Sequence, residues 1–285
     1  MPCFQYNTNP HAFLRKVARS RRSVLLLDYD GTLAPFSKER DHAHPYPGVC
    51  ELVTEIIETC RTRVAFITGR PAHELLDLIH ISPAPEIWGT HGLERLRSDG
   101  DYKVRDIDPV TREALDKGDQ WLDGLGLEYL VEKKPGTLAL HWRGLSPDTI
   151  HDIRGNVLLG WLPIADRAGL TIEDFDGGVE LRSPLGNKAD VVRMLLNQMQ
   201  SDAPVAFLGD DVADERVYEA MQDRGLRVLV RPHWRETAAD LWLRPPEQLI
   251  EFLQDWLEAC RSPRKGSSHI AFTLAAGEKY LHRGI

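Results

Sequence analysis

Val24-Leu25-Leu26-Leu27-Asp28-Tyr29-Asp30-Gly31-Thr32 carries an unbroken apolar stretch straight into two acids, one residue apart, and then a glycine. An apolar run without polar alternation suits a strand buried on both faces, and such strands belong to parallel sheets covered by helices. Three further runs read the same way. Val64-Ala65-Phe66-Ile67 leads into Thr68-Gly69-Arg70, Val205-Ala206-Phe207-Leu208 into Gly209-Asp210-Asp211, and Leu226 to Val230 into Arg231-Pro232. Helical patterns between them complete the alternation expected of an α/β fold with a parallel sheet. In open parallel sheets ligands sit beyond the carboxyl ends of the strands, and three of these runs end in groups suited to phosphate or metal. The segments at Asp28, Thr68 and Asp210 are therefore expected to converge on one site.

The pattern changes between Asp108 and Ser183. A helical stretch from Val110 to Leu125 precedes strand-like pieces at Leu127 to Glu132 and Leu138 to Trp142, joined by the turn Lys133-Lys134-Pro135-Gly136. Ser146-Pro147-Asp148 starts a second helix toward Trp161. Two more strand-like pieces, Leu170 to Glu173 and Val179 to Arg182, flank Asp176-Gly177-Gly178. This α-β-β-α-β-β block reads as an α+β cap inserted into the core. The expected division is a core of residues 1–108 and 184–260, a cap of residues 109–183, and a tail of residues 261–285 to which no function is assigned.

A chain of 285 residues has room for a core domain and a smaller second one. Its formal charge of −8 disfavours nucleic acid or an anionic membrane as the main partner, so an anionic small-molecule substrate needs local positive charge. The basic residues Arg15, Lys16, Arg19, Arg21 and Arg22 precede an apolar run too short for a secretion signal, and no stretch reaches the roughly 20 apolar residues that span a membrane. Cys3, Cys50, Cys60 and Cys260 lack paired spacing. A cytoplasmic protein is the expectation.

At the end of a buried strand, Asp28 can attack phosphorus if a cation offsets its charge, and Asp30 can protonate the leaving oxygen and later activate water. Asp28, Asp30 and Glu39 also match the acid spacing of an EF-hand calcium loop, but Leu33 stands where that loop needs glycine and a strand precedes it. Asp210, Asp211, Asp214 and Glu215 close a second apolar strand. With Asp28 they fit Mg²⁺, Asp28 and Asp210 as direct ligands and Asp211 or Asp214 behind them, although the same acids would also cap a helix. Thr68, Gly69 and Arg70 open a helix where a hydroxyl and backbone amides can hold phosphate, or where Thr68 is simply a cap. Lys188 can neutralise both phosphate and nucleophile.

Together, Asp28-Tyr29-Asp30-Gly31-Thr32, Thr68-Gly69-Arg70, Asn187-Lys188 and Gly209-Asp210-Asp211 with Asp214 resemble, in order and spacing, the four motifs of the haloacid dehalogenase-like phosphatases. The resemblance extends to about Ala259 and includes an inserted cap. It implies a Rossmann-like core, Asp28 as phosphorylated nucleophile, Asp30 as acid/base, Mg²⁺ held by Asp28, Asp210 and the Asp30 carbonyl, and phosphate held by Thr68 and Lys188. Within that superfamily the chain looks most like the trehalose-6-phosphate phosphatases. The likeness lies in Asp28 to Pro35, in Gly89-Thr90-His91-Gly92-Leu93-Glu94, in Glu132 and Lys134 continuing to His141-Trp142-Arg143, and in Val179-Glu180-Leu181-Arg182. It departs from the family's usual residues at Trp142, Ala189 and Ala213. The resemblance implies a trehalose 6-phosphate substrate, a trehalose-6-phosphate synthase as pathway partner, and Glu132, Lys134, His141, Arg143 and Glu180 facing the sugar. Glucosyl- or mannosyl-3-phosphoglycerate and sucrose 6-phosphate remain alternatives, as does a non-catalytic sugar-phosphate-binding domain.

Overall fold

The computed structural model describes residues 9–37, 40–175 and 177–262, so Glu39, the turn residue Asp176, Cys3 and nearly all of the tail lie outside the described residues. The described residues open with α1 (Pro10–Arg19), β1 (Ser23–Leu27), α2 (Val49–Glu58), β2 (Thr62–Ile67), α3 (Ala72–Leu78), β3 (Glu86–Gly89), β4 (Glu94–Leu96) and β5 (Tyr102–Val104). A second block follows, with α4 (Pro109–Gly124), β6 (Val131–Lys134), β7 (Thr137–His141), α5 (Pro147–Ala168), β8 (Thr171–Phe175) and β9 (Gly178–Arg182). The chain then resumes with α6 (Lys188–Asn197), β10 (Val205–Gly209), α7 (Glu215–Met221), β11 (Leu226–Val230), β12 (Leu241–Leu243) and α8 (Glu247–Arg261).

The larger sheet has the order β12-β11-β10-β1-β2-β3-β4-β5. It is parallel from β12 to β3, while β4 runs antiparallel to both β3 and β5. The unbroken apolar run of β1 has a physical reason. Leu25 and Leu27 face a core packed by α1, α2 and α8, with Phe252 and Trp256, while Val24 and Leu26 face a second core packed by α6 and α7, with Val192 and Tyr218. Each fully buried aliphatic side chain of this kind contributes about 1.5–3 kcal/mol. Leu27 pairs with Leu208 on one side and Phe66 on the other, so the residues after β1, β2 and β10 emerge side by side.

The inserted block forms a four-stranded antiparallel sheet, β6-β7-β9-β8, with α4 and α5 on one face over Leu138, Leu140, Val179 and Leu181. Two of its boundaries differ from the sequence reading. Glu128–Leu130 is a short 3-10 turn, so β6 starts only at Val131. Helix α5 continues past Trp161 and through Pro163 to Ala168, where Gly169 ends it in the left-handed conformation. Pro163 is tolerated because the carbonyl it leaves without a donor, that of Leu159, sits on the exposed face of the helix.

At the end of the sheet opposite the site, Arg61 ties the layers together. Its guanidinium donates to the carbonyls of Ala18 (2.8 Å) and Ser20 (2.7 Å) at the end of α1 and of Cys260 (2.5 Å) at the end of α8. A cation at two helix C-termini satisfies carbonyls that have no intrahelical donor and complements both dipoles. Arg61→Ala is expected to lower unfolding free energy by about 3 kcal/mol, measured by urea denaturation. A loss under about 0.5 kcal/mol would mean that water serves these carbonyls equally well.

Candidate active site

Asp28 follows β1 directly and is 4% exposed. One carboxylate oxygen accepts from Thr32 Oγ1 at 3.0 Å and the other from Lys188 Nζ at 2.7 Å. Lys188, the first residue of α6, also donates to Asp214 at 2.9 Å. Asp214 is fully buried, and its second oxygen accepts the backbone amides of Asp210 (3.0 Å) and Asp211 (3.2 Å). Carboxylate oxygens of Asp28, Asp210 and Asp214 lie within 4.8 Å of one another. Asp211 stands apart from this trio, its side chain accepting Val212 N at 2.6 Å and capping the turn that follows.

The chain can place these acids together because Gly31 adopts φ +81°, and a Cβ there would lie 2.3 Å from Asp210 Oδ2. The same turn directs Asp30 toward Arg70, whose guanidinium grips it with two bonds of 2.7 and 2.6 Å. Arg70, read from sequence as part of a phosphate loop, thus has its guanidinium on Asp30. Thr68 is buried, and its hydroxyl accepts the Arg70 amide at 3.1 Å.

Burial first, with further repulsion from Asp214 and Asp30, pushes Asp28 from 3.8 up to about 6 despite Lys188 beside it. Burial, then Asp28, Asp214 and Asp211, drives Asp210 well above the usual carboxylate range. Burial opposes charge on Lys188, yet Asp214 and Asp28 outweigh it and hold the ammonium protonated. Three buried carboxylates against one ammonium leave a deficit of positive charge among hard oxygen donors. A divalent cation such as Mg²⁺ fits that donor set.

The four-stranded sheet closes over this floor. Lys134 Nζ lies 2.9 Å from Glu180 Oε1 and 3.1 Å from the Gly69 carbonyl of the core. Glu132 meets His141 at 2.9 Å, and Arg143 stacks on Phe36 of the core, 4.6 Å from the ring centre. Lys134, Arg182 and His91 overcome the burial that would otherwise raise Glu180 and keep it well below the ordinary carboxylate range. All the sugar-facing candidates, Glu132, Lys134, His141, Arg143 and Glu180, therefore line the same cavity as Asp28, Asp30, Thr68 and Lys188.

Sequence reasoning gave no site role to Glu173, or to His91 and Arg182 of the segments that carry the family likeness, yet all three line it too. Glu173 and Glu180 are cross-strand partners, and two like charges directly opposite call for a cation. Arg182 and, from the core, Arg216 supply it, each 2.5 Å from Glu173. Phe175 pairs with Gly178 across this hairpin, which fixes that register, so the pair could have been found from the hairpin alone.

The parallel core with acids at its strand ends and the inserted antiparallel cap share their fold with a Bacteroides thetaiotaomicron protein described as a phosphatase of the haloalkanoate (HAD) enzyme superfamily, with a TM-score of 0.55 at 14% identity, covering 82% of this chain and 95% of that one. Residues 26–241 match the trehalose-phosphatase family model, and the chain belongs to that family. The trehalose-phosphate phosphatase of Mycobacterium marinum is 28% identical over 244 residues, a match covering 81% of this chain and 60% of that protein. The chain therefore spans about 60% of the length of the curated relatives it matches. The C-terminal domain of C. albicans trehalose-6-phosphate phosphatase superposes with a TM-score of 0.73 at 18% identity, covering 88% of this chain and 97% of that one. The C-terminal domain of the Candida albicans trehalose synthase regulatory protein superposes with a TM-score of 0.69 at 14% identity, covering 86% and 98%. At these identities the two structures attest the fold.

Because Asp28 binds its proton more tightly folded than unfolded, its contribution to stability is complete below pH 3.8 and is lost as pH rises through about 6. A bound divalent cation would recover that loss. Mg²⁺ is therefore expected to raise the melting temperature more at about pH 7 than at about pH 5, with Asp28→Asn reducing the difference. Equal gains at both pH values would contradict this.

Proposed function

We propose that the protein hydrolyses trehalose 6-phosphate to trehalose and phosphate, with Mg²⁺ as cofactor. The observation that carries this reading is the Asp28, Lys188, Asp210 and Asp214 cluster facing the cap residues Glu132, Lys134 and Glu180 across one cavity. Asp28, Asp210 and the Asp30 carbonyl would hold the ion, with Asp214 anchoring Lys188 and the Asp210 loop behind them. When bound, the ion offsets the negative charge that otherwise keeps a carboxylate from a phosphoryl group.

Thr68, the Gly69 backbone and Lys188 hold the phosphoryl group in line with Asp28. A carboxylate oxygen of Asp28 bonds to phosphorus as the bond to the sugar oxygen breaks, and Asp30 gives that oxygen its proton. Asp30 next takes a proton from water, whose oxygen bonds to phosphorus as the aspartyl bond breaks, releasing phosphate and restoring Asp28. Arg70 steadies Asp30 by both of its oxygens, and one of those bonds opens when Asp30 takes up the proton that it gives to the sugar oxygen. In the cap, Glu132, Lys134, His141, Arg143 and Glu180 offer the directional donors and acceptors that a hydroxyl-rich sugar needs. Closure over the substrate excludes bulk water.

The reading places the protein in trehalose biosynthesis in the cytoplasm, downstream of a trehalose-6-phosphate synthase. Among the described residues no helix is long and apolar enough to cross a membrane. A second reading is a non-catalytic regulatory domain, since the C-terminal domain of the Candida albicans trehalose synthase regulatory protein has the same fold. Phosphate release from trehalose 6-phosphate, sucrose 6-phosphate and glucosyl- and mannosyl-3-phosphoglycerate, with Mg²⁺ or EDTA, separates the readings. Selective Mg²⁺-dependent release from trehalose 6-phosphate, reduced at least about a thousandfold in Asp28→Asn, is expected. Preference for another sugar would change the substrate and keep the mechanism; no release from any would favour the regulatory reading.

A further inference from the structure

Between β3 and β4 the chain makes a turn that its side chains disfavour. Thr90 and His91 are consecutive non-glycine residues with φ of 46° and 55°. A β-branched residue in the left-handed region is an outlier, and such strain persists only where the surroundings enforce it.

The enforcement is visible. Thr90 N donates to the Arg70 carbonyl at 2.8 Å, and His91 N donates to the Thr68 carbonyl at 2.8 Å. Glu94, 3% exposed, accepts from the Thr90 hydroxyl at 2.6 Å and from Ala72 N at 3.1 Å, while its other oxygen accepts from Tyr102 at 2.5 Å. One buried carboxylate therefore joins the strained turn to the start of α3, which follows the Thr68–Arg70 loop.

The strain aims His91. Its ring lies against Gly69, where a Cβ would come within 2.8 Å of the imidazole. On its other side Nε2 is 3.1 Å from Glu180 Oε2 of the cap. The other charged groups acting on this ring are Lys134 and Arg182, both on the cap sheet. The contact joins a core turn directly to the cap sheet.

We propose that His91 is a positioning residue that ties cap closure to the phosphate loop: held on the Glu94-braced turn, it bears on Gly69 and receives Glu180 as the cap comes down. The carboxylate placed to meet the sugar is then also the one that registers the cap on the core. A substrate with a sugar uses that registration, whereas a small aryl phosphate has no group to exploit it.

His91→Asn tests this, because asparagine accepts left-handed backbone at little cost yet cannot reach the cap. The ratio of kcat/KM for trehalose 6-phosphate to that for p-nitrophenyl phosphate should fall by about tenfold or more, and Glu94→Gln should shift it in the same direction. Amide hydrogen exchange across residues 131–141, in protein without substrate, should be at least about threefold faster in His91→Asn. An equal fall for both substrates would overturn the proposal by assigning His91 to the phosphate loop alone. Unchanged exchange in the hairpin would also overturn it. The inference rests on the phosphatase reading for its kinetic arm only, so wild-type protein that hydrolyses neither substrate would refute that reading and leave exchange to decide this one.

Discussion

Three carboxylates, Asp28, Asp210 and Asp214, share one water-poor neighbourhood with a single ammonium, and the fold has to hold them there against mutual repulsion. Much of the architecture serves that constraint. β1 lies between β2 and β10, so Asp28 leaves the sheet near its centre. Asp214 is braced by two backbone amides, and Lys188 begins a helix packed on the same face. Gly31 lets the loop pass where any side chain would strike Asp210. The uncompensated charge that remains is what makes the site receptive to a divalent cation.

The cap repeats the same electrostatic logic with the signs interleaved. Glu180 sits among Lys134, Arg182 and His91, and Glu173 between Arg182 and Arg216. Some of these partners belong to the core, so part of the cap's own charge balance is completed across the boundary between cap and core. An arrangement of this kind makes the closed state selective, because a ligand has to replace contacts that the empty cavity already makes.

The core was legible in the sequence because β1, β2, β10 and β11 are buried on both faces and read as continuous apolar runs ending in unmistakable polar groups. The short strands toward the two ends of the sheet were not. β3, β4, β5 and β12 span only three or four residues each, and β5 is exposed, so no periodicity could develop. The strands of the cap were found through their glycine turns, with boundaries off by a few residues where a 3-10 turn or the extension of α5 intervened. The acids of the site announced themselves by following buried strands. The Arg70 to Asp30 pairing and the His91 to Glu180 contact did not, because each joins residues far apart in sequence, and only the folded chain brings them together.

The strand order also sets a schedule for the ribosome. β1 is made early with Asp28 at its tip, but one of its two neighbours, β10, is synthesised only after the entire inserted block. Until then β1 exposes an apolar face and an open hydrogen-bonding edge, the kind of surface on which nascent chains stick to one another. The inserted block, with its own apolar core, can fold during that interval. The sugar-facing half of the cavity would then exist before the half that does the chemistry, and β10, arriving after it, would bring Asp210 and Asp214 to complete the acid cluster.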